Sequence, residues 1–244
     1  TAAGGIFKTI NNGTTFKPIF DNFETGSIGD LAVSQSHPDV LYVGSGESNN
    51  RQSSSWGNGM YKSTDGGTTF TQIGLEKTQH IGRVVVHPTN PDVLYVAAMG
   101  RLWGGNEERG VYKSTDGGKT WEKILYINES TGCSDLVMDP NDPNVLYAAF
   151  WEFRRTAYSF NSGGMNSALY KSIDGGKTWS KIHQGFPSGK LGRIAVAVAP
   201  SNSNILYAVI EAEKDKGLYR SEDAGKSWKF LNGDFELTVR PFYF

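Results

Sequence analysis

Five copies of one eight-residue signature divide this chain at a nearly regular interval, and that regularity limits its fold more than any other feature. The copies occupy residues 9–16, 63–70, 114–121, 172–179 and 221–228. Their common pattern is Ser/Thr-x-Asp-x-Gly-x-Thr/Ser-aromatic. Asn11 stands where Asp65, Asp116, Asp174 and Asp223 stand in the other copies. Counted along third positions, from 11 to 65 to 116 to 174 to 223, the intervals are 54, 51, 58 and 49 residues. A period near fifty marks a repeat architecture in which each repeat is one supersecondary unit.

Residues 81–125 show what one unit contains. Val84, Val85 and Val86 form a β-branched run that stops at His87, Pro88, Asn90 and Pro91, residues that favour a turn. A second strand follows at 93–97 and a glycine-bearing loop at 99–109. The third strand is at 110–114, the signature makes the next turn, and 120–124 alternates as a fourth strand. Second strands recur at Leu41-Tyr42-Val43, Leu146-Tyr147-Ala148 and Leu206-Tyr207-Ala208; third strands recur at Met60-Tyr61-Lys62, Leu169-Tyr170-Lys171 and Leu218-Tyr219-Arg220. Four short antiparallel strands repeated radially predict an all-β fold, a β-propeller of four-stranded blades. No segment holds a 3.6-residue apolar period long enough for a helical solenoid. The expected boundaries are a half blade at 5–20, blades at about 28–73, 81–125, 134–182 and 192–231, and the start of a next blade at 237–244. The expectation is one segment of a larger propeller, whose remaining blades or a complex partner cover residues 5–9 and 237–244.

Composition agrees. Thirty glycines and abundant aromatic and β-branched residues suit many strands and turns. The formal charge of −1 gives no reason to expect a nucleic-acid partner, and no apolar run is long enough to span a membrane. The lone Cys133 rules out an internal disulfide framework and reads as a small buried side chain.

The signature reads as a hairpin turn. Its fifth-position glycine supplies a positive φ, its Asp accepts backbone amides, and its closing aromatic packs over the turn. Asn11, Asp65, Asp116, Asp174 and Asp223 are therefore expected to be structural, since equivalent positions of successive blades stand far apart around the rim. The copies resemble Asp-boxes, also called bacterial neuraminidase repeats, found in sialidases, xyloglucanase-type glycosidases and sortilin-type receptor ectodomains. The fuller pattern includes Gly5-Ile6-Phe7-Lys8-Thr9, Ile81-Gly82-Arg83 and the run from Asn90 to Val96. It is similar to a bacterial group of large secreted proteins of sortilin-like or glycosyl-hydrolase-like kind. This resemblance covers almost the whole chain. It implies the propeller fold and a secreted, periplasmic or bacterial cell-surface location. It leaves activity open, because Asp-boxes lie on the outer rim of enzymes and non-enzymes alike.

Chemistry is expected on the other face. The connections from second to third strands, 44–58, 99–109, 150–167 and 211–216, differ most between repeats, and variable loops on a rigid scaffold carry binding. They offer Arg51, Trp56, Arg101, Trp103, Glu107, Trp151, Glu152 and Arg154. Aromatic faces with Arg and Glu suit sugar rings or extended peptides. At the channel mouth, Asp30, Arg83, Asp135 and Arg193 hold matching positions and form a ring of alternating charge, read either as a salt-bridge girdle or as a ligand site. Arg83 and Arg193 are kept as ligand candidates.

The functional expectation is a non-catalytic extracellular scaffold that binds polysaccharide or protein through the long-loop face. The alternative is a glycoside hydrolase, sialidase-like or xyloglucanase-like, whose active site lies partly outside these residues. Asp30, Glu47, Glu107, Asp135 and Glu152 are all topologically eligible as glycosidase carboxylates, and no spacing singles out a pair. The four histidines show no metal-ligand spacing, so neither metal nor cofactor is expected.

Overall fold

The structure, a computed structural model, describes residues 3–240. It is all-β, with short 3-10 turns at Glu76–Thr78 and Phe235–Leu237 as the helical elements among the described residues. The first sheet pairs β1 (Phe7–Lys8) with β2 (Lys17–Pro18). Four larger antiparallel sheets follow, each running in chain order. The second holds β3 (Ile28–Val33), β4 (Leu41–Ser45), β5 (Met60–Ser63) and β6 (Thr71–Gln72). The third holds β7 (Ile81–Val86), β8 (Leu94–Ala98), β9 (Gly110–Ser114) and β10 (Glu122–Leu125). The fourth holds β11 (Thr131–Met138), β12 (Leu146–Arg155), β14 (Ala168–Ser172) and β15 (Ser180–Ile182), with β13 (Phe160–Ser162) added to the far end of β12. The fifth holds β16 (Leu191–Val198), β17 (Leu206–Ala212), β18 (Gly217–Ser221) and β19 (Lys229–Asn232).

Sheets stack face to face, so their second strands are buried on both sides. Every residue of β4 and β8 is buried. The first strands β3, β7, β11 and β16 lie side by side around the axis. They approach so closely that Gly29 and Gly82 admit no side chain. A Cβ on Gly29 would stand 2.0 Å from the Ile81 carbonyl oxygen, and one on Gly82 would stand 2.9 Å from that of Ser134. Each inner strand also has a register shift at this level, at 28/30, 81/83, 133/135 and 191/194. Such bulges turn a strand and re-aim its side chains. Here they aim Asp30, Arg83, Asp135 and Arg193 at one cavity.

The signatures close the hairpins between third and fourth strands. In the third sheet, Asp116 Oδ1 accepts the Ser114 hydroxyl at 2.8 Å and the Thr120 N–H at 3.0 Å. Oδ2 accepts the Thr120 hydroxyl at 2.6 Å, and the Gly118 N–H donates to Ser114 Oγ at 2.8 Å. The same bonds recur around Asp65, Asp174 and Asp223. Asn11 keeps the Thr15 N–H bond at 2.9 Å and turns its amide to the Thr15 hydroxyl. These carboxyls are held low by the hydroxyl and backbone N–H of the seventh residue and by the first-position Ser. Asp65, Asp174 and Asp223 lie at about 2 and Asp116 below them.

Two expectations change. Residues 150–167 were expected to form a loop, yet β12 runs on to Arg155 and returns through β13, because Trp151, Phe153 and Phe160 supply an apolar side. Residues 237–240 do not begin a strand: the Thr238 N–H closes a turn on the Phe235 carbonyl, and Leu237 and Val239 line the channel mouth. Residues 241–244 lie outside the described residues.

Candidate functional site

The channel mouth is a cavity of about 570 Å³ whose lining includes Asp30, Arg83, Asp135, Arg193, Ser48 and Glu236. Its carboxylates fasten one sheet to the next. Asp30 Oδ2 accepts the Val84 N–H at 2.8 Å, and Asp135 Oδ2 accepts the Val196 N–H at 3.0 Å. Arg83 Nε donates to Asp135 Oδ1 at 3.0 Å. Burial pushes the Asp30 carboxyl up, against its amide bond and Arg83. Burial works against the Arg83 charge, but Asp135 and Asp30 outweigh it and raise its pKa. Burial lowers that of Arg193 despite Asp135 and Glu211. Each acid thus neutralises an inward-facing arginine or ties down a backbone amide of the neighbouring sheet.

The second-to-third connections form a layer of their own, and the first of them contributes Ser48 to the cavity. Trp56 is 70% exposed and Trp103 43% exposed, so both indoles present open ring surface. Arg101 and Glu107 are also exposed, and with Glu108 and Glu129 they line a second cavity of about 450 Å³. Arg154 is exposed on the outer end of β12. Arg51 is ion-paired with the buried Glu47, whose second oxygen accepts the Ser55 N–H at 3.3 Å. Glu152 Oε2 accepts the Asn166 N–H at 2.9 Å.

Trp151 does not belong to this exposed set. It is 0% exposed, packed with Met99, Leu102 and Phe153, and its indole N–H donates to Ser162 Oγ at 3.2 Å. An enclosed ring has no face to offer a ligand, so its role is packing. On the channel side Arg193 approaches it, with the guanidinium 5.6 Å from the Trp151 ring centroid.

Two further arginines organise the layer, and their roles were not visible in the chain. Arg109 is fully buried without a carboxylate. It donates to the carbonyls of Ser130, Arg101 and Gly104 and lies 4.2 Å from the Phe153 ring centroid. Burial lowers its pKa to about 10, and Arg154 and Arg101 add to the effect. Arg155 spans 105 residues to bond the Asn50 side chain and carbonyl, both at 2.7 Å. The β12–β13 hairpin is thereby tied to the first long loop. His80, also buried, holds the Glu47 carbonyl through Nδ1 at 2.8 Å, and burial lowers its pKa. Among the described residues, no group of three His, Cys, Asp or Glu side chains is arranged to hold a metal.

Stacked four-stranded sheets around a polar channel define a β-propeller. The chain matches the family model Sortilin-Vps10, described as "Sortilin, neurotensin receptor 3", over residues 4–149 and 58–185, and it belongs to that family. It is similar to a xyloglucanase of Hypocrea jecorina, 30% identical over 212 residues, 85% of this chain and 21% of the relative. A xyloglucanase from a Paenibacillus species is 25% identical over 237 residues, again 85% of this chain, and 22% of that protein. The chain therefore spans about a fifth of the length of these curated relatives. Among solved structures, a GH74 xyloglucanase from Xanthomonas campestris shares the fold with a TM-score of 0.67 at 22% identity. That match covers 93% of this chain and 34% of the other. Among the described residues no helix is long and apolar enough to cross a membrane.

Proposed function

We propose that these residues are the glycan-gripping part of a secreted β-propeller glycoside hydrolase of xyloglucanase type. The observation that carries this reading is the similarity to two xyloglucanases along 85% of the chain. The face with open indoles suits the same chemistry. Trp56 and Trp103 stack on the apolar C–H faces of a β-linked glucan, while Arg101, Glu107 and Arg154 take its hydroxyls. Arg51, steadied by Glu47, comes from the same loop as the first of these rings. Hydrolysis needs two carboxylates across the scissile bond. Asp30, Asp135, Glu47 and Glu152 each accept a backbone amide. These engaged acids leave Glu107 as the exposed member of the five eligible carboxylates and motivate an active site that lies partly outside residues 3–240. They also favour the second reading, a non-catalytic scaffold that binds polysaccharide through the same face.

Calorimetric titration with xyloglucan oligosaccharides tests the shared part, and release of reducing ends separates the readings. The expected result is binding that weakens about tenfold or more when Trp56 and Trp103 are both changed to Ala. Unchanged affinity in that double variant, or no affinity for any polysaccharide tried, would overturn the proposal.

A further inference from the structure

A buried charge is normally paired with its opposite, and Arg109 is not. The groups around its buried side chain are the carbonyls of Ser130, Arg101 and Gly104 and the Phe153 ring. These are dipoles and a ring quadrupole, and none carries a net charge to cancel its own. Its Nε is a buried donor without a partner among the described residues. Two more guanidiniums stand close enough to oppose its charge, those of Arg101 and Arg154. Their placement follows from the loop backbone. Arg109 Nη2 holds the Arg101 and Gly104 carbonyls from the buried side, and Arg154 Nη1 lies 3.6 Å from where a Cβ on Gly104 would stand. Arg155, next in the chain, is also buried and bonds an asparagine rather than a carboxylate. Among the described residues none of these four arginines is in an ion pair, and neither Arg101 nor Arg154 has a hydrogen bond from its side chain.

The nearby acids lie to one side. Glu107, Glu108 and Glu129 line the 450 Å³ cavity with Arg101 and Lys77, and Arg154 is not part of that lining. Glu152, two residues before Arg154 on the same strand, is occupied by the Asn166 N–H and side-chain amide. Trp103, 43% exposed, immediately precedes Gly104 and so stands beside the Arg154 fork. We propose that this edge of the face is a subsite for the carboxylate of an acidic sugar. The uronate ring stacks on Trp103, and its planar carboxylate takes two N–H groups of the Arg154 fork. The uncompensated charges of Arg101 and Arg109 favour the anion there. On the glycan-binding reading above, on which this rests, the ligand is then a β-linked glucan that bears carboxylate groups.

The test titrates the whole chain calorimetrically with a xyloglucan oligosaccharide and with the same oligosaccharide after its primary hydroxyls are oxidised to carboxylates. The oxidised ligand should bind roughly ten- to hundredfold tighter at low salt, an advantage that shrinks at about 0.5 M salt. Arg154→Gln should bring the ratio of the two affinities toward one, and Arg154→Lys should restore part of it by keeping the charge without the fork. The ratio is the readout, so a loss common to both ligands cancels. Equal affinity of the parent for the two ligands would overturn the subsite and leave the glycan reading standing. No affinity for either would overturn both. A preference that survives in Arg154→Gln would overturn its placement at this edge. Tighter binding of an oligosaccharide sulfated at the same positions would overturn the assignment of a carboxylate.

Discussion

The signature rim and the long-loop face of this propeller carry similar residue types under opposite rules. On the rim, one set of bonds is repeated around Asp65, Asp116, Asp174 and Asp223, and the carboxylates are fully engaged. On the loop face each arginine has different polar partners: Arg51 has a carboxylate, Arg109 has carbonyls and Arg155 has an asparagine 105 residues away, while Arg109 and Arg155 have in common only that each lies 4.2 Å from a phenylalanine ring. Repetition marks what every blade needs in order to stack. Departure from the repeat marks where selection was free to build a surface.

The sharpest way to break that distinction is within the loop face itself. Trp151→Ala should destabilise the protein by about 3–5 kcal/mol in denaturant unfolding, since it empties a closed apolar cluster. Trp56→Ala should change stability by no more than about 0.5 kcal/mol. Equal costs would mean that burial does not separate packing from binding here.

On the rim, the fifth glycine should matter more than the fourth. Gly176→Ala places a Cβ 2.5 Å from Ile124 Cδ1 of the preceding sheet, whereas at Gly175 the nearest atom is 3.5 Å away. Gly176→Ala should therefore add an overpacking cost of about 1–3 kcal/mol to the left-handed strain of about 1–2 kcal/mol that both share. Chemical denaturation of the two variants measures the difference. The reverse change, Ala224→Gly, removes a non-glycine left-handed residue with φ 58° and should raise stability by about 1 kcal/mol or less.

Below about pH 4, after the buried His80 has felt the fall through its ordinary 6.5, acid should act through the rim. The Asp65, Asp174 and Asp223 carboxyls are depressed from 3.8 to about 2, so their contribution is complete above the unfolded value and is lost as pH falls toward 2. Replacing Asp65, Asp174 and Asp223 together with Asn should flatten the fall in thermal midpoint between about pH 4 and pH 2. An unaltered acid profile would count against the rim as its source.

Sequence alone revealed the rim because each element there is seen five times. The matching Asp30, Arg83, Asp135 and Arg193 were legible for the same reason, and all four line one cavity. The backbone amides that Asp30 and Asp135 accept were not legible, because they depend on the inward bulge of strands more than fifty residues apart. The β12–β13 hairpin, the burial of Trp151 and the Arg155–Asn50 tie occur once each. They have no period to expose them, and their partners are distant in the chain.

The most direct test compares rim and face in one titration. Xyloglucan oligosaccharide is titrated into the parent, the Trp56→Ala/Trp103→Ala variant and Asp116→Ala, with thermal midpoints measured on the same samples. The indole variant should lose about tenfold or more in affinity at an unchanged midpoint, and Asp116→Ala should keep its affinity with a lowered midpoint. Loss of affinity in Asp116→Ala together with full affinity in the indole variant would contradict the division between rim and face.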